Sequence, residues 1–283
     1  LISSGTDLRE IYRSVFENGD MPDLSAFPVL LYGIRGKAYT VFNLVPAFTS
    51  VIGVGAVPAI AAAAARGNTA ELKKNINTVL KTAALISLPA ACGLIAIGGR
   101  ITEFLYDTEA SAVIGGEMLM LYGFAALFAG FLVPLGGILQ ALGKQNAVLL
   151  NTAAGTAVKL LVNIIAVAVP KINVMSAALG TVLCFFVIFL PDIEVLIKAT
   201  GFAPDTANVF LKPLVSAALC GLAARLTVRL GSSRVVTLLA VIAAVLVYAA
   251  LIIALKTVAE SDFPDSDKGK KLAEFCRKHR IIR

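Results

Sequence analysis

Lys159 is the one charged residue in an apolar stretch running from 145 to 170. Thr152, Gly155, Thr156, Lys159 and Asn163 recur at intervals of three and four, so in a helix they share one face. A lysine near the centre of a hydrocarbon layer costs roughly 2.5–3.5 kcal/mol on insertion scales, so such a face must turn to protein or to a water-filled cavity. The ammonium has no carboxylate partner within any apolar stretch of this chain. An anionic guest would supply one. The structural alternative is that Lys159 bonds to backbone carbonyls or Asn163, or pairs with a carboxylate on a preceding part of a larger protein. Arg35 and Lys37, in Leu31-Tyr32-Gly33-Ile34-Arg35-Gly36-Lys37 at the mouth of the first apolar stretch, are either further anion contacts or interfacial anchors. The candidate substrate-binding residues are therefore Lys159, Asn163, Thr156, Arg35 and Lys37.

Other chemistries find little support. His279 is the only histidine, and Cys92, Cys184, Cys220 and Cys276 show no paired spacing, so neither a metal site nor a Ser-His-Asp arrangement can be assembled. The chain reads as a non-enzyme that needs no cofactor and no nucleic-acid partner.

What must position Lys159 is a set of membrane helices. Hydrophobic residues make up 58% of the 283, charged ones 15%, and the mean hydropathy is +0.85. Stretches 38–65, 82–99, 118–143, 172–191 and 235–255 hold no charge; 145–170 holds only Lys159, and 206–228 holds Lys212 and Arg225 near its ends. Each is long enough to cross about 30 Å of hydrocarbon as a helix. Ten-residue alternating segments, the mark of a membrane barrel, are absent. The expected fold class is all-α: a polytopic membrane bundle of about seven helices.

The expected organisation is an extracytoplasmic segment 1–29 carrying the end of a preceding helix, a transmembrane bundle 30–256, and a basic tail 257–283. A leading Leu1 and the lack of a basic stretch before it suggest no signal peptide and a C-terminal portion of something longer. With the tail cytoplasmic, fifteen Lys and Arg fall inside and nine outside, which favours a cytoplasmic C-terminus in the cell membrane. The tail and the stretch from Arg66 to Lys81, with Leu72, Ile76, Val79 and Leu80, read either as helices lying on anionic membrane lipids or as solvated basic segments.

Pro46, Pro58, Pro89 and Pro134 fall inside spans, where each removes a backbone donor and tends to bend the helix. Such interruptions suit a protein that changes shape. The alanine run 59–65, Gly136-Gly137 and the series Ser216, Cys220, Ala224 offer flat faces for close helix packing.

Several stretches resemble a known family. "YTVFNLVPAFTSVIGVGAVPAIAAAAARGN", "INTVLKTAALISLPAACGL", "GILQALGKQNAVLLNTAAGTAVKLLVNIIAV" and "INVMSAALGTVLCF" are similar, in order and spacing, to segments of stage V sporulation protein B and related polysaccharide biosynthesis proteins. These form the mouse virulence factor, or MurJ-like, branch of the multidrug, oligosaccharidyl-lipid and polysaccharide exporter superfamily. The resemblance implies the second half of a fourteen-helix exporter whose first bundle would be a partner. It also implies a flippase that carries a polyprenyl-diphosphate-linked saccharide between leaflets by alternating access, with cavity cations compensating the diphosphate. Lys159 suits that role by position in the family-like segment, whereas Arg35 and Lys37 do not align cleanly with that branch's cavity arginine. A drug or cation antiporter of the same superfamily is the competing transport reading, disfavoured by the lack of carboxylates in the spans. A non-transporting scaffold of a polysaccharide assembly complex is the third.

Overall fold

The computed structural model describes residues 26–106, 109–169, 172–231, 233–255 and 257, with the side chains of 109–111 left out of the description. Among them all regular structure is helical. Helix α1 (Phe27–Ala65, 39 residues) starts with Pro28 in its first turn, where a missing N–H breaks no bond. It closes through Gly67 at φ 64°. Asn68 then accepts from the Glu71 N–H at 3.1 Å and opens α2 (Thr69–Tyr106). Helix α3 (Glu109–Ala141) ends at Gly143, φ 71°, and leads into α4 (Gln145–Val167). A 3-10 turn, Asn173–Met175, feeds α5 (Ser176–Thr200), which stops at Gly201, φ 73°. Asp205 caps a π turn, Thr206–Leu211, that runs into α6 (Lys212–Val228), and Ser233 caps α7 (Arg234–Ala254).

Seven segments are long and apolar enough to span a membrane, matching the expected polytopic all-α bundle. Their ends differ from the charge-free stretches because helical hydrogen bonding continues past a charged residue wherever the side chain can find water or protein. Thus Arg35 and Lys37 lie inside α1 rather than ahead of it. The stretch 69–81 forms the first turns of α2, and Leu72, Ile76, Val79 and Leu80 are buried against Ile60, Leu139 and Val209. It is core, not a surface helix on lipid. Helix α5 continues through Pro191 to Thr200, so Asp192 lies inside a spanning helix, 1% exposed, accepting a 2.7 Å hydrogen bond from Asn151 Nδ2. Glu117 likewise falls within the span of α3. The expectation that spanning helices hold no carboxylate is therefore corrected.

Glycines set the close helix approaches. A Cβ on Gly116 of α3 would lie 2.5 Å from the Gly99 Cα of α2, and one on Gly53 of α1 would lie 2.9 Å from the Pro134 Cα. On α6, Ser216, Cys220 and Ala224 are buried, and the backbone of Gly221 packs beside the Cys92 carbonyl of α2. The small residues serve bundle packing. The one non-helical residue inside α2 is Ile97 (φ −133°, ψ 24°), beside Gly98-Gly99 rather than at Pro89. Segment 1–25 and the tail 258–283, with Cys276 and His279, lie outside the described residues.

Candidate functional site

Arg35 projects from the third turn of α1 into a nest of aromatic rings. Its guanidinium carbon lies 5.4 Å from the centre of the Tyr32 ring and 5.9 Å from that of Tyr39. Tyr39 in turn packs edge-on against Tyr122 at 5.6 Å, and Phe42 stacks on Tyr122 at 5.2 Å. The Tyr122 hydroxyl is fully buried and its polar neighbour is the Arg35 guanidinium. Arg35 Nε is also buried and unpartnered.

These groups stand beside a cavity of about 430 Å³ between α1 and the α4–α5 hairpin, lined by Tyr32, Arg35, Asn163, Asn173 and Ser176 among apolar neighbours. That size lies within the roughly 300–1,000 Å³ usual for small-molecule sites. Arg35 and Asn163, more than a hundred residues apart, thus meet at one site. Asn163 Oδ1 is buried without a conventional partner and seated on the bare Cα of Gly180, where a Cβ would lie 2.3 Å away.

The remaining candidates lie elsewhere. Lys159 is half-buried on α4, one turn from Asn163, on the side facing α5, its carbonyl beside Gly180. Among the described residues it makes no hydrogen bond or ion pair, and it does not line the cavity. Thr156 is exposed, its hydroxyl donating to the Thr152 carbonyl of its own helix at 2.8 Å. The polar stripe therefore divides, with Gly155, Lys159 and Asn163 toward α5 and the threonines outward. Lys37 turns to α2: its Nζ lies 5.0 Å over the Tyr106 ring, and its carbonyl accepts from the Tyr106 hydroxyl at 3.3 Å.

A second cavity, about 460 Å³, lies between α1, α2, α6 and α7. Its wall is apolar, with Leu44, Phe48, Ile86, Leu94, Val241 and Val245 among its residues. Such a surface accepts hydrocarbon and rejects charge.

At the joint of α5 and α6, outside the spans, Asp205 accepts from both the backbone N–H and the side-chain amide of Asn208, at 3.2 and 2.6 Å. The Asn208 side chain holds its carboxyl below the usual range.

Residues 35–165 match the MatE family. Lipid II flippase MurJ of Bacillus subtilis (strain 168) is 26% identical over 129 residues, which is 45% of this chain and 23% of that protein. A solved structure of Lipid II flippase MurJ, in its inward closed conformation, superposes with a TM-score of 0.51 at 19% identity, over 88% of this chain and 46% of that one. The chain thus spans about half the length of that solved flippase. These matches bear on the MurJ-like side of the resemblance rather than on its sporulation side. Residues 35–165 are thus similar to the MatE family, and the described residues form a polytopic membrane bundle whose fold is similar to that of the solved flippase.

Proposed function

We propose that the complete protein is a flippase or exporter that moves a polyprenyl-diphosphate-linked saccharide across the cell membrane by alternating access. The observation that carries this reading is the meeting of Arg35 and Asn163, from opposite ends of the matched segment, at one cavity with buried polar atoms left unpartnered. A buried donor without an acceptor, here Arg35 Nε, costs about 1–3 kcal/mol, which an arriving oxoanion recovers, while the Asn163 Oδ1, itself an acceptor, stays against Gly180. Lys159, one turn from Asn163 on α4, adds a second cation near the cavity that Arg35 reaches from α1. The apolar cavity among α1, α2, α6 and α7 suits the hydrocarbon of such a lipid. A preceding helix bundle completes the transport path, and the basic residues beyond α7 hold the C-terminus in the cytoplasm.

The test is transport by the full-length protein in spheroplasts or proteoliposomes. Arg35→Gln and Lys159→Ala should each lower translocation of a labelled polyprenyl-diphosphate saccharide at least about tenfold, with the amount of folded protein unchanged. Normal flipping in both variants would overturn the assignment and leave the scaffold reading, in which helix faces matter and these cations do not.

Asp192 supports a second reading. A carboxylate buried inside a spanning helix is the kind of group a cation or drug antiporter needs for binding protons or metal cations. Substrate movement that follows an imposed proton or sodium gradient and stops in Asp192→Asn would favour the antiporter.

A further inference from the structure

We infer that Asn173, in the turn between α4 and α5, is a direct ligand for the oxoanion in the Arg35 cavity, an inference that rests on the anion-carrying reading above. Asn173 is among the described residues the one non-glycine with positive φ, at 31°. It is 4% exposed, lines the same cavity as Arg35 and Asn163, and its Nδ2 is buried with no partner. Two costs coincide at one residue. Left-handed backbone carries a cost for every residue but glycine, smallest for asparagine, and an unpaired buried amide loses its hydration.

A purely structural turn would be served better by glycine, which adopts this φ freely. The backbone here is already satisfied, since the Asn173 N–H donates to the Val169 carbonyl at 2.9 Å. What asparagine adds is a buried side-chain donor in a residue that lines the cavity. With Asn163 Oδ1 seated on Gly180, the NH2 of that amide is the group left to the cavity. The polar set is then the Arg35 guanidinium, the two amide NH2 groups and the buried Ser176 hydroxyl, with no carboxylate in the wall. Donors in excess with no fixed negative charge select a phosphate or diphosphate oxygen over an alcohol or an amine. The anion could be the head of a lipid or a soluble diphosphate; the hydrogen bonds are the same.

The experiment is calorimetric titration of the full-length protein in detergent with three probes: farnesyl diphosphate, farnesol and inorganic pyrophosphate. Asn173→Gly keeps the turn and removes the amide. It should weaken farnesyl diphosphate about tenfold while farnesol moves less than about twofold, with the melting temperature of the unliganded protein unchanged or raised. Equal binding of the diphosphate by variant and wild type overturns the inference, as does equal weakening of diphosphate and farnesol, which would mark a packing role. If Asn173→Gly is silent while Arg35→Gln weakens the diphosphate, the transport reading stands and only Asn173 is misassigned. Pyrophosphate bound by wild type and weakened in Asn173→Gly, with farnesyl diphosphate excluded, supports the oxoanion ligand and overturns the lipid-linked substrate. No binding of either diphosphate by wild type overturns both.

Discussion

The Tyr248 hydroxyl of α7 donates a 3.0 Å hydrogen bond to the carbonyl of Leu85 in α2. That carbonyl stands four residues before Pro89, so it is the one whose helical N–H partner the proline removes. A side chain from another helix thus fills the gap, and α7 is fastened to α2 at the point where α2 lacks its own bond. Tyr248→Phe should destabilise the bundle by about 1–2 kcal/mol. In a Pro89→Ala background the same change should cost much less, because the Leu85 carbonyl is then bonded within α2. A double-mutant cycle read by unfolding in mixed micelles measures the difference, and equal costs in the two backgrounds would contradict the pairing.

Gly116 and Gly36 offer a paired comparison. A Cβ on Gly116 would lie 2.5 Å from backbone of α2, whereas one on Gly36 meets nothing within 4 Å. Gly116→Ala should force α2 and α3 apart at a cost of about 1–3 kcal/mol, and Gly36→Ala should be neutral or stabilising by up to about 1 kcal/mol from helix propensity. Thermal unfolding of the two variants decides it.

Removal of Asn151 leaves the Asp192 carboxyl buried without its hydrogen-bond donor. Asn151→Leu is expected to destabilise by about 1–3 kcal/mol, and adding Asp192→Leu should recover most of that loss, since an apolar pair needs no partner. Failure of the second substitution to rescue the first would show that the pair acts by packing alone.

The Asp205 cap makes the α5–α6 joint sensitive to acid. Its folded carboxyl ionises below the ordinary value, so the stabilisation is present above that value and lost as the pH falls through the folded one. Protection of the amides of residues 206–209, taken against the intrinsic exchange rate at each pH, should therefore fall in acid in the wild-type protein and be low at all pH values in Asp205→Ala. A flat profile in the wild type would remove the cap's role.

The order and number of spans were legible because lipid forces every backbone donor to be satisfied within its own helix, which leaves long apolar runs in the sequence. Their ends were not, since Lys73, Lys74 and Asp192 sit in helices that simply continue past them. The charge-free stretch stopped at 191 because Asp192 follows it, yet α5 continues through both to Thr200. At the site, the shared face of Gly155, Lys159 and Asn163 was readable from spacing. Which cation would meet Asn163 was not: it is Arg35, brought from α1 by tertiary packing, while Lys159 stays on the α5 side. Asn173 and Tyr122 were missed because each is a single polar residue among apolar neighbours, with no spacing to mark it. An Asn shortly after a proline, at the junction of two spans, is the faint signal that could have pointed to the former.

Helix α4 meets the rest of the bundle chiefly through α5, and α1 barely touches it. The two walls of the Arg35 cavity are nonetheless joined: Val174 and Met175, next to Asn173, pack on Phe27, Leu31 and Ile34 of α1, and Phe185 of α5 stacks on Phe42 of α1. Any change in the width of the cavity must therefore slide these contacts and the Phe128–Phe186 seam between α3 and α5, so its aperture is set by how aromatic rings repack.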